Sequence, residues 1–141
     1  MTGCNLRTWL AASMFLLGDL TGTPSAEHPV RPSLIWAIYV PDLTVPYTAS
    51  TLTPNGDIAV TRVQAQLEVP GQYCSVNPVV TVSNGTARVT LSLATLANDT
   101  GPVNASFVAG IPITVSISSP AACVFAPSWA NVVVQYASRD R

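Results

Sequence analysis

The sequence predicts an all-β protein: a single two-sheet antiparallel β-sandwich of Greek-key or jelly-roll type, with about seven to eight strands, behind an N-terminal signal peptide. Three observations support that class. In Thr86-Ala87-Arg88-Val89-Thr90-Leu91-Ser92-Leu93 and in Ile111-Pro112-Ile113-Thr114-Val115-Ser116-Ile117-Ser118, apolar side chains recur on every second residue. That period belongs to a strand with one wet and one buried face. Clusters of Pro, Asn, Gly and Asp separate such runs at short intervals, and no helical period follows the leader. Finally, Cys74 and Cys123 remain as an even pair once the leader is discounted, which implies a disulfide in an exported chain.

Taken in order, residues 1–26 have the layout of a secretory signal peptide. Arg7 and the amino terminus give a positive start, residues 9–17 form an apolar run too short to span a bilayer, and small residues lead to Ala26. Cys4 precedes the apolar run, whereas a lipid-anchored cysteine would follow it. Residues 27–33 are a polar, proline-bounded linker holding His28, the single histidine. The sandwich is expected over residues 34–137, with a polar tail at 138–141.

Leu34-Ile35-Trp36-Ala37-Ile38-Tyr39-Val40 is apolar on both faces, so it reads as a strand buried on both sides. Its default place is its own sandwich. Its alternative is a neighbour's groove, filled by strand addition. From residue 47 to 69 the sequence suggests a long hairpin turning at Thr53-Pro54-Asn55-Gly56-Asp57, with Gly56 at positive φ and Leu52 opposite Ile58. On the returning strand Ile58 and Val60 are out of phase with Val63, Ala65, Leu67 and Val69, which predicts a β-bulge or a change of sheet near Thr61-Arg62.

Pro70-Gly71-Gln72-Tyr73 reads as a loop delivering Cys74, and Ser119-Pro120-Ala121-Ala122 as one leading to Cys123. Between them, Asn84-Gly85 has the signature of a two-residue type I′ turn, which sets Val82 opposite Ala87 and Val80 opposite Val89. Residues 103–109 form a short strand, and Pro112, which lacks a ladder donor, places the next strand at an edge or delays its start. The last strand covers residues 129–136, with Val132, Val134 and Tyr136 on one face.

Composition narrows the function. Only 9% of residues are charged, lysine is absent and the formal net charge is -1, so no basic field exists to hold nucleic acid or anionic lipid. A mean hydropathy of +0.38 leaves room for a buried partner surface. Partners are therefore expected to be a second copy of the chain or an extracellular glycan or protein, and the place secreted, periplasmic or at the cell surface, with no membrane span in the mature chain. Asp42, Asp57, Glu68 and Asp99 are scattered, three of them in turn sequences, and His28 has no partners for a triad or a metal, so no enzyme, metal or cofactor is expected. Asn84, Asn98 and Asn104 each open an Asn-x-Ser/Thr acceptor pattern. Trp36, Tyr47, Tyr73 and Trp129 are the aromatics a sugar would stack on, although aromatics in a small sandwich more often fill its core.

In Leu52-Thr53-Pro54-Asn55-Gly56-Asp57 and Val132-Val133-Val134-Gln135-Tyr136 the chain resembles small exported bacterial β-sandwich proteins of unassigned function, which carry a leader, a first hairpin, two loop cysteines and a valine-rich last strand. The resemblance spans most of residues 45–136. It implies fold and export and brings no functional residue. The expected function is a non-catalytic binding or structural module. The alternative is a subunit of a surface filament or fimbria joined through residues 34–40.

Overall fold

The computed structural model describes residues 33–49 and 51–139. The expected signal peptide, the linker up to Pro32 with His28, and the last two residues lie outside the described residues. The strands are β1 (Leu34–Val40), β2 (Tyr47–Thr48), β3 (Ile58–Leu67), β4 (Cys74–Val76), β5 (Val79–Ser83), β6 (Arg88–Ser92), β7 (Ala97–Asp99), β8 (Ala105–Phe107), β9 (Thr114–Ile117), β10 (Ala121–Cys123) and β11 (Ala130–Ser138), with one 3₁₀ turn at Gly71–Tyr73. The all-β expectation holds, with eleven strands among the described residues in place of seven to eight, because β4, β7 and β10, three residues each, form in stretches that carry no strand pattern in the sequence.

The first sheet runs β1-β11-β3, with β7 and β8 sharing the far side of β3. The second runs β2-β9-β5-β6, and β4 pairs with β10 in a separate ribbon; all pairs are antiparallel. The inward residues of both sheets make one core. Val40, Val60, Val63, Leu67, Val132 and Val134 come from the first sheet, and Val80, Val82, Val115 and Ile117 from the second. Each is at most 2% exposed, and no polar or charged residue is buried among the described residues. Burying a side chain of this size stabilises by about 1.5–3 kcal/mol, so the alternating valines and isoleucines provide most of the drive to fold.

The phase slip in β3 is resolved as its sequence demands. Gln135 lies opposite Arg62 but Tyr136 lies opposite Val60, leaving Thr61 as the extra residue of a bulge. Ile58 and Val60 therefore join Val63, Ala65 and Leu67 in one core. Across the bulge the neighbouring strand breaks into β7 and β8. The stretch between them bonds to β3 through Thr100 N–H to Val63 O (3.0 Å) and Val103 N–H to Thr61 O (2.9 Å).

Several local expectations are corrected. Strand β1 is not buried on both faces: Ile38 and Val40 enter the core, whereas Ile35 and Tyr39 on the opposite face are exposed at 64% and 58%, and Leu34, at the strand's end on the core side, is exposed at 48%. Among the described residues the sheet ends there, and apart from the Trp129 ring beside Tyr39 nothing covers its outer face. The hairpin over 47–69 does not form, because Leu52 bridges Ile113 and β2 pairs with β9, while β3 belongs to the other sheet. The Pro54–Asp57 sequence makes a corner between sheets instead, tied by Gly110 N–H to Pro54 O (2.8 Å) and Ala109 N–H to Asp57 Oδ1 (3.0 Å). Gly56 is not among the residues with positive φ.

The Asn84-Gly85 turn is longer than two residues. Asn84 Oδ1 accepts from Thr86 N (3.1 Å) and Ala87 N (2.8 Å), and of these four residues only Gly85 has positive φ (89°), so residues 84–87 form the loop. Val82 then faces Val89 and Val80 faces Leu91. The register moves by two residues, which keeps every side chain on its expected face. Last, the cysteines lie within β4 and β10, not in loops, and β11 extends to Ser138, taking that residue from the expected tail. Pro112 delays β9 to Thr114, as expected, although β9 lies inside its sheet between β2 and β5.

Candidate functional site on the open sheet face

Alternation that sends valines into the core sends their neighbours outward, and on the first sheet this builds an ordered surface. Cross-strand register gives three rows: Tyr39, Asn131, Gln66 and Ala97; then Ala37, Val133, Gln64 and Asp99; then Ile35, Gln135 and Arg62. The β1 end of each row is apolar, and amides follow further in: Asn131 and Gln66 in the first row, Gln64 in the second and Gln135 in the third. A shallow groove of about 470 Å³ follows the amides along Gln64, Gln66, Asn98, Asp99 and Asn131.

Hydrogen bonds connect the amides to a charged end. Gln135 Nε2 donates to Gln64 Oε1 (3.2 Å) and Gln64 Nε2 donates to Asp99 Oδ2 (3.1 Å). Arg62 grips the same carboxylate through Nε (2.9 Å to Oδ1) and a terminal nitrogen (2.5 Å to Oδ2). Gln66 and Asn131 face each other beside Tyr39, with no side-chain hydrogen bond among the described residues. Their donors and acceptors point at solvent, in reach of a ligand.

The Arg62 guanidinium, helped by the Gly101 N–H, holds the Asp99 carboxyl well below its ordinary range, at about 2, and Asp99 in turn raises Arg62. Both groups face water, so screening keeps their energy small. Because the folded value is depressed, the contribution of Asp99 is complete above the ordinary value near 3.8 and is lost as pH falls through about 2. Thermal melts of the protein and of Asp99→Asn should therefore differ most at about pH 5 and converge at about pH 1.5. A difference unchanged over that range would show that the pair does not link folding to proton binding.

The predicted stacking aromatics do not form one platform. Trp36 lies on the core side of β1 and Tyr47 packs against the same core, both half-buried. Tyr73 stands on the disulfide ribbon in an edge-on contact with Phe125 at 5.7 Å. Trp129 leans on Tyr39 at 6.4 Å, so it supports the open face from its margin. Sequence reading placed Tyr39 in a strand-addition segment and passed over Gln64, Gln66, Asn131 and Gln135. Their signal was the polar phase of Gln64-Ala65-Gln66-Leu67 and Asn131-Val132-Val133-Val134-Gln135, the complement of the core phase.

Each described carboxylate is engaged locally. Asp42 accepts from the Thr44 hydroxyl and N–H, which lowers its pKa, Asp57 accepts from Ala109 N, Glu68 accepts from the Ser128 hydroxyl, and Asp99 holds Arg62. No group of three or more metal-ligating side chains occurs among the described residues. The Asn-x-Ser/Thr asparagines have structural roles as well: Asn84 closes its loop, Asn98 exchanges hydrogen bonds with Thr95, and Asn104 accepts from Arg139. The Cys74–Cys123 disulfide forms, and no helix among the described residues is long and apolar enough to cross a membrane.

No family model and no curated relative matches the sequence. Among solved structures the chain is similar to one titled "Crystal Structure of FLHE", at 15% identity, over 76% of this chain and 98% of that one, with a TM-score of 0.40.

Proposed function

We propose that this chain is a non-catalytic, secreted or cell-surface binding module that holds a glycan on the open face of its first sheet. One observation carries the reading: an exposed tyrosine, Tyr39, stands in the same cross-strand row as two unengaged amides, Asn131 and Gln66. A sugar offers both partners such a row requires, an apolar ring face to stack on the phenol and hydroxyls to exchange hydrogen bonds with amides. The disulfide and the signal-like leader support export to an oxidising compartment. A purely binding role is supported by carboxylates that are each committed to a local contact.

Retention of the purified protein on a panel of immobilised polysaccharides tests this. The protein should be retarded on at least one, and Tyr39→Ala or Gln66→Ala should weaken that retention by up to about tenfold, the upper range of one aromatic contact or one hydrogen bond. Tyr73→Ala, on the ribbon, should leave it unchanged. No retardation across the panel, or retention lost only with Tyr73, would refute the assignment to this face.

In the filament alternative, Leu34–Val40 completes a neighbour's sheet. Here that segment is hydrogen-bonded along its length to β11 of its own chain, so donation would first require it to leave. What remains available to another molecule is its second edge.

A further inference from the structure

Among the described residues, sheet edges are guarded, with one exception. On the second sheet one edge is β2, of two residues, and the other is β6, which presents the exposed charge of Arg88. On the first sheet the β3 side ends in β7 and β8, three residues each, and β7 carries the Arg62–Asp99 pair. Short strands and charges of this kind keep chains from adding to one another. Strand β1 has neither: its seven residues carry no charge and no proline, and they run in unbroken register against β11. No described strand lies beyond it.

We infer that β1 is the contact through which two copies of this chain pair, edge to edge and antiparallel, about a two-fold axis at Ala37. The self-complementarity of the segment selects a second copy. With Ala37 on the axis, Ile35 of one copy stands opposite the partner's Tyr39 on the outer face, and the reciprocal pair repeats it. On the inner face the same register sets Trp36 opposite the partner's Ile38 and Leu34 opposite the partner's Val40. Each cross-strand pair is aromatic with β-branched, or aliphatic with aliphatic, which are favourable pairings, and no like charges meet. Ile35, Tyr39 and Leu34, exposed at 64%, 58% and 48%, would lie at the seam. A two-fold axis closes the assembly at two copies, so the contact makes a dimer and not a fibre. The two amide-bearing faces then lie side by side on one continuous sheet, which goes beyond the glycan reading and does not depend on it.

Sedimentation velocity of the purified protein over a wide concentration range should show a monomer–dimer equilibrium. Ile35→Lys places two lysines at the seam and should raise the dissociation constant at least about tenfold, with the urea midpoint almost unchanged, since Ile35 is a surface position. Ala37→Cys gives a second readout: under mild oxidation it should form an intermolecular disulfide in high yield, whereas the unsubstituted chain and Thr90→Cys, exposed on β6, should not. A monomer at every concentration, a dimer indifferent to Ile35→Lys and not crosslinked through Ala37→Cys, or open-ended assemblies would each overturn the inference. Loss of glycan retention with the dimer intact would overturn only the ligand reading.

Discussion

Replacing Cys74 and Cys123 together with serine is expected to lower the unfolding free energy by about 4 kcal/mol, the chain-entropy value for a loop of this length. The two sulfurs are separated by 49 residues, and they face each other across the β4–β10 ribbon. That ribbon has a particular place in the topology. Strand β4 lies on the path from β3 in the first sheet to β5 in the second, and β10 on the return from β9 to β11. The bond therefore staples two of the crossings between the layers to each other. Little else holds them there, since the ribbon adds one further register pair, Ala121 with Val76, a Ser75 hydroxyl to Ala121 O bond and a Val124 N–H to Tyr73 O bond. Urea titration should show the midpoint falling by about 1.5–4 M at an ordinary slope, and reduction of the unsubstituted protein should reproduce it. A loss below about 1 kcal/mol would mean that the ribbon is held by its neighbours and not by sulfur.

Phe107→Ala is expected to cost about 3–5 kcal/mol. Phe107 is the largest of the fully buried side chains, 1% exposed, and it belongs to a strand of only three residues. Strand β8 meets β3 through Ile58, Ala59 and Val60, so its own ladder is short, and burial of one ring provides most of its hold. Removing the ring leaves a cavity that the surrounding valines and isoleucines fill only in part. Phe107→Leu, which keeps most of the volume, should cost about 1–2 kcal/mol. A cost below about 1 kcal/mol for the alanine variant would place the ring outside the core.

The two largest effects rest on features of different legibility. Core membership was written in the period of two: Val80, Val82, Val89, Leu91, Val132 and Val134 are buried as their phase requires. The slip near Thr61 was legible as a bulge or a change of sheet, and the register shift at Gln135/Tyr136 is the bulge. Partner choice was not. Leu52 and Ile58 looked like opposite members of one hairpin, yet pairing is decided by which sheet lacks a neighbour, a property of the whole chain. The Asn84 loop failed for a local reason, since its carboxamide bonds two amides ahead and so lengthens a turn that a dipeptide signature defines as two residues. Strand β1 misled because apolar residues on both faces usually mean two covers, and here one cover is absent among the described residues.

The candidate face was legible only as a residue. Gln64, Gln66, Asn131 and Gln135 fall where any polar side chain would serve a solvated strand, and they become a row only once β11 is known to lie between β1 and β3. Aromatic chemistry alone does not say which face of a strand a side chain takes. Trp36 points inward and Tyr39 outward on the same strand, one residue-type argument giving two opposite answers.

Amide-resolved NMR of the labelled protein, titrated with the oligosaccharide of the best-retained polysaccharide, decides whether the ligand sits on the open face of the first sheet. Shifts should concentrate at Ala37, Tyr39, Gln64, Gln66, Asn131 and Val133, the members of the first two outward rows on β1, β3 and β11. Shifts confined to Tyr73, Phe125 and the ribbon, or spread over the loops of the second sheet, would contradict that placement.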